Sequence, residues 1–308
     1  MRMLFTWLLI LATLTTMACG GDPQAAAAAR MKAWKVTEFF ADPLQRELAS
    51  AVEKSDVDGI DAAIRRGADV NAPGKNGILP LLWAMAKDSV VGFETLLRHG
   101  ADLKAPAFDP RGDGPADTQS QQVIELVVSA FNTGFLKTAL ATGFDPDYVA
   151  DPTNNESLLF RAVMTHYGEA ATILLGAGAS VNWKNNESIT PAAEAQLIND
   201  YRLICLFMEH GADLTIKDKW GYDIAAGIKQ YGTRGVTPEQ MPFFEKVVAE
   251  LEKRGLITRQ DIVNADKPKN GSGVKTIVHP PDSEMGRAIR QMDQAEQEAN
   301  RRDAQRNP

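Results

Sequence analysis

The chain has 308 residues, 44% of them hydrophobic, and carries 33 Lys and Arg against 40 Asp and Glu for a formal net charge of −7. That acidic balance argues against a nucleic-acid binder, which would gather basic side chains on one face; it serves solubility and is compatible with a basic protein partner. The two cysteines, Cys19 and Cys205, leave no framework of internal disulfides.

Met1-Arg2 opens with a positive charge, residues 4–14 are apolar apart from Thr6 and Thr13, and Thr16-Met17-Ala18-Cys19 is a small-residue processing site. Residues 1–18 therefore read as a secretory signal. The apolar run is shorter than the roughly 20 residues that cross a bilayer. A small residue directly before Cys resembles the bacterial lipoprotein signal, although Thr16 stands where that pattern prefers Leu. The resemblance implies lipidation of Cys19. With Gly20 following instead of Asp, it also implies attachment to the outer membrane on the periplasmic side. The alternative is cleavage by an ordinary signal peptidase, giving a soluble periplasmic protein. Residues 19–41 form a tether and lead-in, with Ala25 to Ala29 as a low-complexity spacer and an amphipathic pattern from Trp34 onward.

At Asp42-Pro43 a helix-start signal appears, since Asp can accept an orphan backbone N–H and Pro is tolerated in the first turn. From here the chain repeats itself. His99-Gly100-Ala101-Asp102-Leu103 returns as His210-Gly211-Ala212-Asp213-Leu214, with relatives at Gly67-Ala68-Asp69, Gly143-Phe144-Asp145 and Gly178-Ala179-Ser180. The successive glycines are separated by 33, 43, 35 and 33 residues. Each unit is expected to be a helix, a tight connection, a second helix ended by Gly in a positive-φ conformation, and an extended finger. Apolar positions recur at helical spacing in the second helices, as Val57, Ile60, Ala63 and Ile64, then as Phe93, Leu96 and Leu97.

The first helices carry degraded forms of a Thr-Pro-Leu-His-x-Ala motif: residues 79–84, 157–162 and 190–195, with Ala51, Ala84, Ala162 and Ala195 in register. Period and motif together resemble ankyrin repeats. The resemblance implies an all-α ankyrin-repeat solenoid of about six repeats over residues 42–263, with degraded terminal units. Residues 104–117 are rich in Pro, Gly and Asp and read as an insertion in the third unit; residues 233–240 lengthen the sixth. Residues 264–308 change composition and are expected to form a flexible tail.

Catalytic chemistry is not written in this chain. Among four histidines, His99 and His210 share one repeat position, where imidazole can bond the last helix carbonyls. His166 and His279 have no catalytic companions in the sequence. No nucleophile elbow, phosphate loop, zinc helix or paired Cys-x-x-Cys occurs. Asp145, Asp147 and Asp151 lack the spacing of a calcium loop. Cys205 lies in an apolar helical run and reads as core. No enzyme activity, no cofactor and no metal are therefore expected.

A binding surface is expected on the fingers and inward helices. Trp183 takes a finger position usually given to a small residue and reads as exposed, followed by Lys184 and Asn185 at the tip; Lys217, Lys219 and Trp220 form the next tip. Trp83, which reads as either core or groove, and Tyr148 complete the set of expected partner contacts, Trp being enriched at interface hot spots. Exported ankyrin lipoproteins with an opening like residues 37–43 are similar to immunity proteins of type VI secretion effectors, including those paired with phospholipases. That resemblance implies a monomer that binds and neutralises a secreted toxin. The alternative is an envelope scaffold that stabilises a resident periplasmic enzyme.

Overall fold

The computed structural model describes residues 31–107, 122–130 and 132–267. The leader, Cys19, the Ala-rich spacer, most of the 104–117 insertion and the tail from residue 268, with His279, lie outside the described residues.

Among the described residues a short lead-in helix, α1 (Val36–Phe39), precedes six helix pairs. In chain order these are α2 (Pro43–Glu53) with α3 (Val57–Arg65), α4 (Pro80–Ala86) with α5 (Val90–Arg98), and α6 (Val123–Val128) with α7 (Gly134–Ala141). Then come α8 (Leu158–Met164) with α9 (Gly168–Gly176), α10 (Pro191–Leu197) with α11 (Tyr201–Glu209), and α12 (Ile224–Tyr231) with α13 (Met241–Lys253). The last described helix, α14 (Arg259–Asp266), follows. No described helix is long and apolar enough to cross a membrane.

Among the first members α2 stacks on α4, and α6, α8, α10 and α12 stack in series; among the second members α3, α5, α7 and α9 stack in series and α11 lies on α13. This is the ankyrin-repeat architecture, an all-α solenoid. Its only described strands are a short antiparallel ribbon, β1 (Val149–Asp151) and β2 (Glu156–Ser157), in the finger before α8.

Local chemistry explains where the helices start and stop. Asp42 accepts from the backbone of Leu44 and Gln45 with Pro43 in the first turn, and Asp56, Ser89 and Asp200 cap α3, α5 and α11 in the same way. Gly67, Gly100, Gly143, Gly178 and Gly211 all have φ between +84° and +103°. A residue with Cβ would be strained at that conformation, so the repeated glycine is a backbone requirement. Between paired helices, Ser55, Asp88, His166 and Asn199 have φ of 55° to 60°. That assigns His166 a turn role, in the left-handed conformation that His tolerates better than most residues.

The core runs along the interior of the array. Ala84, Ala162 and Ala195 are fully buried, so neighbouring helices approach closely, and Phe93 meets Phe135 edge-on at 5.1 Å between ring centroids. Cys205 is buried, and burial pushes its thiol pKa up. Leu96 is fully buried whereas Leu97 is only partly so.

Candidate functional site

The fingers are built by side chains that bond forward to the next repeat. Asp69, Asp102, Asp145 and Asp213 each accept from the backbone N–H two residues on, at 2.8 to 2.9 Å, which fixes the turn after the helix-ending glycine. Asn71 then reaches the following unit, donating to the Gly100 carbonyl at 3.2 Å and accepting from Asp102 N at 2.8 Å. Asn182 does the same with Gly211 and Asp213, at 3.3 and 2.8 Å. Asp147, in the same position, accepts from Ser180 N at 2.7 Å. Sequence reasoning overlooked these two asparagines, although their spacing from the Gly-Ala-Asp phrase was visible.

Further out, three successive finger tips are laced together. Asn186 N donates to the Asn154 carbonyl at 2.9 Å and Asn155 Nδ2 to the Lys184 carbonyl at 2.9 Å; Lys219 N donates to the Glu187 carbonyl, also at 2.9 Å. Lys219 Nζ adds an ion pair with Glu187 at 2.8 Å. The strip is preorganised, because its turn conformations are over-determined by bonds within the protein.

Several expected contacts take other roles. Trp83 is fully buried: its indole N–H donates to the Ala49 carbonyl at 3.1 Å, and its ring packs against Phe39 and Phe40 at 5.8 and 5.6 Å. A partner cannot reach it. The chain's own lead-in covers this position, held by Lys87, whose Nζ donates to the carbonyls of Trp34 and Lys32 at 2.6 and 3.0 Å and lies over the Trp83 ring.

Trp183 is half-buried, with its indole N–H donating to the Asn155 carbonyl at 2.8 Å. The expected exposed indole is thus an inter-finger brace, because its N–H is bonded to the backbone of the preceding tip. Asn185 braces its own turn, its Oδ1 accepting from Glu187 N and Ile189 N at 2.9 Å. Tyr148 is half-buried against Phe144, donating its hydroxyl to Gln122 Oε1 at 2.8 Å beneath Lys104. Trp220 is half-buried under Lys219 Nζ at 4.5 Å. Of the expected contacts, Lys184, Lys217 and Lys219 stand exposed.

His99 also departs from expectation, since its Nε2 lies 2.7 Å from Asp61 Oδ1 on α3 instead of turning back to the carbonyls of α5. His166 Nδ1 lies 3.4 Å from Asp200, across the turn to the next pair. Among the described residues no group of three or more His, Cys, Asp or Glu could hold a metal ion.

The structure adds surface features that sequence reasoning missed. Met164 and Leu197, the last residues of α8 and α10, are 37% and 54% exposed, and Tyr222 beside the Trp220 tip is 43% exposed. Glu194, one turn before Leu197, is raised to about 7, chiefly by burial and then by Glu156 and Glu187. Met164 and Leu197 are 33 residues apart, so aligning the inner helices would have revealed them as a repeated exposed position.

No protein-family model matches the chain. Among solved structures it is similar to the crystal structure of an ankyrin repeat domain from Acinetobacter baumannii AYE, at 20% identity over 64% of this chain and 96% of that one, with a TM-score of 0.47. The ankyrin description rests on the stacked pairs and the fingers themselves, not on that likeness.

Proposed function

We propose that this chain is a periplasmic protein-binding module, held at the outer membrane through lipidated Cys19, whose role is immunity: it binds and neutralises an antibacterial effector such as a phospholipase. The observation that supports binding is the finger strip. Bonds between successive tips hold it in place while Lys184, Lys217 and Lys219 remain exposed. Ordering such a surface costs little when a partner arrives, which is where preorganisation contributes to affinity. A repeat array also presents a long continuous face without needing buried catalytic groups. The location follows from the resemblance of residues 16–19 to a lipoprotein signal, and the immunity role from the resemblance of exported ankyrin lipoproteins to such proteins.

Two experiments test this. Metabolic labelling with a clickable fatty acid should mark the wild type and not Cys19→Ser; equal labelling of both would remove the anchor. A strain lacking the gene should become sensitive to sibling cells delivering the secreted effector encoded beside it, and the purified chain should bind that effector. A deletion strain that stays resistant and instead loses a resident periplasmic enzyme would overturn immunity in favour of scaffolding.

A further inference from the structure

One register position of the inner helices is occupied in turn by Leu126, Arg161, Glu194 and Gly227, and three residues on stand Ser129, Met164, Leu197 and Gln230. Residues three apart share a helical face. Each of these helices therefore presents one such pair along the stack of α6, α8, α10 and α12.

On α8 the charge is compensated within the array. Arg161 lies 3.8 Å from the Glu125 carboxylate, and its Nε donates to Ser129 Oγ at 3.4 Å. On α10 the situation is reversed. Among the described residues the Glu194 carboxylate makes no ion pair or hydrogen bond, and α12 brings Gly227, without a side chain, to the next position. The charges that act on Glu194 from neighbouring elements are carboxylates too, Glu156 on β2 and Glu187 on the following finger. Glu187 already has Lys219 as its partner. Beside this uncompensated carboxylate lies an apolar ledge, Leu197 one turn along the same helix and Met164 at the matching place on the adjacent one, both open to solvent.

A partly desolvated carboxylate among like charges favours an arriving cation, because a charge-assisted hydrogen bond there is stronger than in open water. Apolar neighbours increase the effect by excluding water from the contact once covered. We propose that the face of α8 and α10 docks a protein segment that directs one Lys or Arg side chain at Glu194 and lays an apolar residue across Met164 and Leu197. This rests on the reading of the array as a protein-binding module and names the chemistry of its partner: a basic, apolar-flanked segment, complementary to the acidic chain.

The test uses a phage-displayed library of random 12-residue peptides selected on the full chain in mild detergent. Enriched peptides should place Lys or Arg next to an apolar residue. A resynthesised peptide should bind at least tenfold more weakly to Glu194→Gln and to Leu197→Ser, and should lose as much when its basic residue is replaced by norleucine. Leu197 is exposed, so its replacement leaves the core untouched and reports on the ledge even if the Glu194 variant were to misfold. Enriched peptides that bind both variants as tightly as the wild type, or that are acidic, would overturn the proposed site while leaving a binding module. Failure to enrich any peptide would count against both.

Discussion

Replacing Glu194 with Gln removes a carboxyl that the native fold holds in an unfavourable place, so the variant should be more stable than the wild type in neutral to alkaline solution. Burial first, and then Glu156 and Glu187, raise the pKa of Glu194 from 4.5 to about 7. As pH rises through that window the unfolded chain releases its proton while the native state still holds one. Native stability therefore falls from about pH 4.5 to about pH 7 and stays low above it. At about 1.4 kcal/mol for each pKa unit the upper limit is roughly 3 kcal/mol. Glu194 retains partial exposure, and solvent screening should leave about 1.5 to 2 kcal/mol. In an array of this size that corresponds to a rise in Tm of about 3 to 8 °C. Urea denaturation of both proteins at pH 8 and pH 4 measures it: the gap should be present at pH 8 and close at pH 4, where Glu194 is protonated in both states. A variant no more stable than the wild type at pH 8, or one whose advantage is the same at both pH values, would refute the reasoning.

Leu96→Ala should cost about 2 to 5 kcal/mol through a core cavity, and Leu97→Ala clearly less because it is only partly buried, a contrast that thermal melts would read. Asn182→Ala removes two bonds between the fourth and fifth units and should cost about 1 kcal/mol, with hydrogen exchange quickening at Asp213 N, whose acceptor is lost. Trp183→Phe leaves the Asn155 carbonyl without its indole donor, and a loss of roughly 1 kcal/mol in urea denaturation is expected; an unchanged midpoint would restore the ring to the free surface. Lys87→Met should release the lead-in from Trp83, seen as faster tryptic cleavage at Lys32 and Lys35 while the helix pairs stay resistant.

The repeat was legible because its strongest signals are local. Gly100 and Gly211 must leave the helix at positive φ, Asp102 and Asp213 must close the turn two residues on, and Asp42-Pro43 must open a helix; these are properties of a few adjacent residues. The inward face of each pair was legible for a related reason, since Ala84, Ala162 and Ala195 keep their register across insertions. The surface was not legible. Trp83, Trp183 and Trp220 were read as partner contacts from their chemistry and their place in the unit, yet the first is fully buried and the other two are half-buried.

What residue order determined by itself was the period, the caps and the turns, because each depends on backbone conformation over four or five neighbours. Whether a side chain faces a partner or another repeat was decided only by stacking, which brings residues about 30 positions apart into contact. The Trp183 indole finds the Asn155 carbonyl 28 residues away and Trp83 finds Ala49 at 34. Glu194 owes its raised pKa first to burial and then to Glu156 and Glu187 on other elements. Burial and electrostatic coupling are sums over spatial neighbours, and in a solenoid those neighbours belong to the adjoining unit.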